Sequence, residues 1–132
     1  QYRLEMGTKL KTNKGAFLHN FWSTVISKSL NDELVSHEKS IIINCASVEY
    51  FKAVNMKTLK AEVVTPVFKE IRNGKPKIIS FFAKRARGAM ARYITTNQIN
   101  DIDGIISFDL DNYSYDESLS SRYEPVFTRH SA

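Results

Sequence analysis

The sequence predicts an α+β fold with a mixed sheet, and three observations carry that prediction. A strongly periodic helical stretch precedes a short all-apolar run, two β-rich runs meet at Asn73-Gly74, and the apolar period changes from two to 3.6 directly after the second of them. The 132 residues suit one domain, 1–132, and a content of 42% hydrophobic and 25% charged residues is that of an ordinary globular protein. No apolar run approaches the roughly 20 residues that span a bilayer, so no membrane is expected as a partner. One cysteine, Cys45, cannot form an internal disulfide, which points to a reducing, cytoplasmic setting. Gln1 stands where an initiator methionine would, and the strand-like QYRLEM follows at once; this predicts a fragment of a longer protein.

The elements follow in order. In AFLHNFWSTVISKSLNDEL, Phe17, Leu18, Phe21, Trp22, Val25, Ile26, Leu30 and Leu34 recur on one helical face, which predicts a core helix capped near Asn13 or Gly15 with a possible break at Asn31-Asp32. SIIINCA is short, apolar and rich in β-branched residues, the pattern of a strand covered on both sides. Ser47 is a good N-cap for a helix over VEYFKAV, with Glu49 near its positive end. Asn73-Gly74 tolerates positive φ at both positions and predicts a type I′ hairpin, with Pro66 and Pro76 confined to edge or bulge positions because each lacks a ladder donor. A helix over about Ala83–Asn97 comes next, then a tight turn and a short helix capped by Asn100 or Asp101. The remainder, ISFDLDNYSYDESLSSRYEPVFTR, reads as short strands and loops.

Charge is segregated along the chain. Residues 1–60 carry nine Lys/Arg against five acids, residues 61–100 eight against two, and residues 101–132 two against seven. Between Lys69 and Arg92 the only acid is Glu70, so this stretch should generate a positive field attractive to a polyanion.

FFAKRARGAMARY holds the centre of that field. Plotted at 100° per residue, Phe82, Ala83, Ala86, Ala89, Met90, Tyr93 and Ile94 form one apolar arc for the core. On the opposite side Lys84, Gly88, Ala91 and Thr95 make a strip of mostly small residues, with Arg87 on one margin and Arg85 and Arg92 on the other. Glycine inside a helix costs about 1 kcal/mol against alanine. Gly88 therefore either lets a neighbouring element pack closely or clears a path for a ligand whose phosphates the arginines fork onto. Because Phe82 and Tyr93 map to the core arc, the exposed side is read as lacking stacking aromatics, which favours duplex or structured DNA gripped by its backbone.

Four strings carry a resemblance: YRLEMG, NCASVEYFKAV, PVFKEIRNGKPKIISFFAKRARGAMARY and YDESLSS. Together they resemble the bacterial YaaA family of peroxide stress resistance proteins over nearly the whole chain, at what looks like the carboxy-terminal half of the family's usual length. The resemblance implies a cytoplasmic protein of the hydrogen peroxide response, tied to limiting iron- and peroxide-dependent damage. It also implies DNA binding through a positive cleft that includes a helix-hairpin-helix-like element. Here that element would be the helix with Lys84, Arg85, Arg87, Gly88 and Arg92, the turn at Gln98–Asn100, and the helix after it. The turn departs from the Gly-apolar-Gly pattern of such hairpins, which counts against phosphate contact there. At Asn112 glycine is expected in many relatives, although asparagine tolerates the left-handed conformation.

Other chemistries find less support. His19, His37 and His130 lie far apart without Cys or acidic partners at metal-ligand spacing, so neither a metal nor another cofactor is expected. DLDN at Asp109–Asn112 lacks the glycine and the closing glutamate of a calcium loop. An enzyme of unknown reaction would draw on Asn44, Cys45, Ser47, Glu49 and Tyr50, but no nucleophile-base pair can be assembled from them, and a peroxide-sensing Cys45 would need an exposed, low-pKa thiolate that nothing near it supplies. The reading is thus a non-enzymatic DNA-binding protein without sequence specificity. Its binding residues are Lys84, Arg85, Arg87, Gly88 and Arg92, with Lys75, Lys77 and Arg3 as auxiliary cations.

Overall fold

A computed structural model describes residues 9–12, 15–36 and 41–130. They fall into two compact units, one drawn from residues up to 42 and 46–62, the other from 43–45 and 63 onward. The QYRLEM stretch, Arg3 and His37 lie outside the described residues.

In the first unit β1 (Lys9–Thr12) pairs antiparallel with β2 (Gly15–Phe17), and α1 (Leu18–Ser36) follows directly. The helix thus starts later than a cap at Asn13 or Gly15 would place it, because Gly15–Phe17 is taken by the hairpin. It does not break at Asn31-Asp32. The Asn31 amide donates to the Thr58 carbonyl (2.9 Å) and accepts from the Lys60 N–H (2.8 Å), while Ser27 Oγ accepts from the Asn55 N–H (2.7 Å). These bonds satisfy backbone groups of the loop beyond α2 (Val48–Phe51) and turn a partly polar edge of α1 inward. Ser27 and Leu34 are buried in consequence, while Phe21, Trp22 and Val25, expected in the core, are 39%, 41% and 51% exposed. Ser47 caps α2 as predicted, its hydroxyl accepting from the Tyr50 N–H at 3.4 Å. The strand predicted in SIIINCA is β3 (Ile41–Ile43), but it is not covered on both sides: Ile41 is exposed. Burial passes instead to Asn44, whose N–H donates to the Val64 carbonyl (2.8 Å) and whose amide donates to Thr65 Oγ1 (3.3 Å), so a polar side chain is matched there.

The second unit contains a four-stranded mixed sheet. After β4 (Glu62–Val64) and the buried Pro66, β5 (Val67–Arg72) and β6 (Lys75–Lys77) form the predicted hairpin, with φ of 53° at Asn73 and 74° at Gly74. β6 is an edge, which tolerates Pro76. The chain returns through α3 (Ser80–Thr96), α4 (Ile102–Ile106) and β7 (Ser114–Tyr115) to β8 (Val126–His130), which inserts parallel to β5 and gives the order β6-β5-β8-β7. The core cluster joins Ala83, Ala86 and Met90 of α3 to Phe68 and Phe127 of the sheet and to Ile105, Phe108 and Tyr113. Small residues on the inner face of α3 let the helix sit close to the sheet while four packed aromatic rings fill the space.

Candidate nucleic-acid interface

α3 begins three residues earlier than predicted, at Ser80, so Lys84 sits in its second turn, and no side chain caps its N-terminus. The apolar arc matches the prediction: Ala83, Ala86 and Met90 are buried, and Ala89, Tyr93 and Ile94 pack against the core from its edge. The outer side forms one wall of an open groove of about 520 Å³ lined by Phe81, Lys84, Arg85, Gly88, Ala89, Arg92 and Asp111. Arg85 and Arg92 stand roughly 10 Å apart along the axis, about three phosphate steps of a B-form strand. Among the described residues, neither they nor Lys84 form an ion pair. A Cβ built on Gly88 meets nothing within 4 Å, so no neighbouring element requires the glycine.

The structure brings together Lys84, Arg85, Gly88 and Arg92. It leaves Arg87 out of the groove's lining: the side chain is half-buried and close enough to Cys45 to bias its ionisation. Burial pushes the Cys45 thiol up, against a smaller downward pull from the Arg87 guanidinium. A cation does stand near the thiol, but burial outweighs it, and a thiol held neutral is a poor nucleophile. Lys75 and Lys77 do not line the groove either; pairing Lys75 with Arg72 and Lys77 with Glu70 sets them on the sheet face that α3 covers, at its exposed edge.

Three features of the site were missed in the sequence. Phe81 is 65% exposed in the groove, with the edge-on ring of Phe82 at 5.5 Å, so an aromatic does stand on the cationic side. The helical plot contained that signal, since Phe81 falls between Lys84 and Arg92 on the wheel. The second feature is a buried network. The Glu70 carboxylate accepts from Arg129 Nε and from the Tyr113 hydroxyl (3.2 Å), and the Arg129 guanidinium lies over the rings of Tyr113 (4.6 Å) and Phe82 (5.0 Å). Glu70, the one acid in the basic stretch, is thereby withdrawn from the surface, at 3% exposure. Third, Arg129 Nη1 donates to the Asp111 carbonyl (3.2 Å), which ties the Asp111 turn beside the start of α3. Asp111 and Asn112 both have positive φ, at 54° and 65°, as expected for Asn112.

Past α3 the chain makes a turn of its own. The Ile99 N–H donates to the Ile94 carbonyl (3.0 Å) with Gln98 at φ 50°, a Schellman-type C-cap with glutamine where glycine is usual. Asp101 caps α4 by accepting from the Gly104 N–H (2.8 Å). Two amides of the turn region are thus committed internally, and Asp101 and Asp103 add negative charge, which leaves the helix flank as the cationic surface.

The polar cluster considered for catalysis is divided between the two units, Asn44 and Cys45 in one, Ser47, Glu49 and Tyr50 in the other. Among the described residues no three of His, Cys, Asp and Glu could hold a metal ion, and no helix is long and apolar enough to cross a membrane.

Residues 1–119 match the family model of the peroxide stress protein YaaA. UPF0246 proteins of Shewanella denitrificans and Shewanella oneidensis are 52% and 51% identical over 128 residues, and one of Aliivibrio fischeri is 50% identical over the same length. These alignments cover 97% of this chain but 49–50% of each relative, so the chain spans about half the length of the curated relatives it matches. By both comparisons the chain belongs to the YaaA (UPF0246) family of peroxide stress proteins.

Proposed function

We propose that this chain is the DNA-contacting part of a cytoplasmic, non-enzymatic protein of the hydrogen peroxide response, one that limits iron- and peroxide-dependent damage. It holds the backbone of duplex or structured DNA along α3 without reading sequence. One observation carries the reading: Lys84, Arg85 and Arg92 converge on one groove, unpaired by carboxylates among the described residues, around a glycine that no intramolecular contact requires. Exposed cations held at helical spacing suit phosphate neutralisation. Lys75 and Lys77 extend the positive surface from the sheet edge, and Arg3 would add to it.

A salt titration tests the reading. Binding of a fluorescent duplex should weaken steeply as salt rises, and replacing Lys84, Arg85 and Arg92 by Gln should flatten the log–log slope by about three. Arg87→Gln, outside the groove's lining, should leave the slope unchanged. A triple variant with the parent slope would move the interface elsewhere.

A further inference from the structure

The groove holds more than cations. Phe81 is among the most exposed large apolar side chains of the second unit, at 65%, and it lies in the first turn of α3 on the wall that carries Lys84, Arg85 and Arg92. Leaving a phenylalanine ring in water forgoes the stabilisation that its burial would bring. Its neighbour Phe82 meets it edge-on at 75° and is itself held under the Arg129 guanidinium, so the ring is supported from behind and open on the groove side. Duplex DNA gripped only by phosphates has no use for such a ring, because its bases are stacked inside the helix.

We propose that the groove takes one unstacked nucleotide of a DNA strand, its base lying against Phe81 and phosphates of the same strand on Arg85 and Arg92. This rests on the DNA-binding reading above and narrows it to DNA carrying an unpaired base. The dimensions fit. A volume of about 520 Å³ lies within the range of sites that enclose a small ligand. From Phe81 to Arg92 the wall runs roughly 16 Å, enough for a base and the next few phosphates of its strand. Gly88, with open space at its Cβ position, lets the sugar-phosphate backbone close on the helix between the two arginines. Asp111 supplies the remaining polar group; a carboxylate repels phosphate and accepts hydrogen bonds from base N–H groups, so it belongs at the base end. Its backbone is tied by Arg129 to the region of Phe82, which is that end.

The test compares three labelled duplexes by fluorescence anisotropy: fully paired, with a single extrahelical adenine, and with an abasic site in place of that adenine. The bulged adenine should bind about 5- to 100-fold more tightly than the other two, the range expected for one base stacked on an aromatic ring. Phe81→Ala should abolish that preference, bringing the bulged duplex down to the affinity of the paired one, and Phe81→Tyr should retain it. Adenosine monophosphate at millimolar concentration should not displace the bulged duplex, since a free nucleotide lacks the second phosphate. Equal affinity for all three duplexes with a normal salt slope would overturn this proposal alone, and loss of binding to every duplex would overturn the DNA reading with it. An equal loss in Phe81→Ala on all three would make the ring a scaffold for the helix, and displacement by the mononucleotide would make the groove a free-nucleotide site; either result sinks the proposal.

Discussion

Gly88 shows how a single residue can separate stability from function. It lies inside a 17-residue helix with ordinary helical backbone, and a Cβ placed on it would touch nothing. Alanine should therefore stabilise the fold by about 0.5–1 kcal/mol, the usual gain at such a site. If the glycine exists to let a DNA backbone approach, the same substitution should weaken duplex binding several-fold. Urea denaturation and anisotropy on one Gly88→Ala preparation measure both, and a stabilised variant with unchanged affinity would remove the glycine from the interface. Tyr113 makes a second residue-scale prediction. Burial chiefly pushes its hydroxyl up from 10.0 to about 12; the Glu70 carboxylate adds to the rise and the Arg129 guanidinium opposes it. A tyrosine neutral in the fold and ionised more easily when unfolded contributes stability that is complete below pH 10 and lost as pH climbs through about 12. Stability measured between pH 8 and 12 should fall more steeply in the parent than in Tyr113→Phe, and parallel curves would refute the assignment. Neither Tyr113 nor Arg129 could be singled out in the sequence, because they lie 43 and 59 residues from Glu70 and no local pattern announces the pairing.

At the scale of elements, local signals were legible and long-range ones were not. Asn73-Gly74 specified its hairpin, Ser47 its cap, Asn100-Asp101 the place of the next cap though not which of the two, and the 3.6-residue period of α3 its buried face, each within a window of a few residues. The insertion of β8 between β5 and β7 joins residues about 60 positions apart, and periodicity carries no such information. In α1 the period was right and the facing partly wrong, since Ser27 and Asn31 bind a loop that the sequence gives no reason to place there. The junction of α3 and α4 can be tested directly. The Tyr93 hydroxyl donates to the Gly104 carbonyl (3.1 Å), and a Cβ on Gly104 would stand 2.7 Å from Ile99 Cγ2, closer than side chains pack. Gly104→Ala should cost about 1–3 kcal/mol despite alanine's better helix propensity. Combining it with Ile99→Ala removes the clashing methyl group, so the double variant should lose less than the sum of the two single losses. Strict additivity in that cycle would show that Ile99 is not what excludes a side chain at position 104.

Across the second unit as a whole, the charge segregated along the sequence is carried by different elements. α3 carries Lys84, Arg85 and Arg92 on its exposed side, while Asp103, Asp109 and Glu117, all exposed, come from the acidic segment that follows. No hydrogen bond or ion pair of these three carboxylates holds the described structure together, so their charge can be removed without dismantling the fold. A polyanion approaching α3 feels both signs, and the acids oppose it through solvent with a reach set by the Debye length, about 10 Å at 0.1 M salt. Neutralising Asp103, Asp109 and Glu117 as amides should therefore strengthen duplex binding several-fold at low salt and hardly at all near 1 M, where the screening length is about 3 Å. The effect opposes that of removing the α3 cations and differs in kind: it reports long-range repulsion, whereas the arginines count phosphates displaced from their counterions. The measurement is the parent and the triple-amide variant titrated side by side with one duplex across that salt range. A gain that persists at high salt would mean that an acid blocks the groove by contact, and a loss of affinity would mean that the acidic segment takes part in holding the DNA.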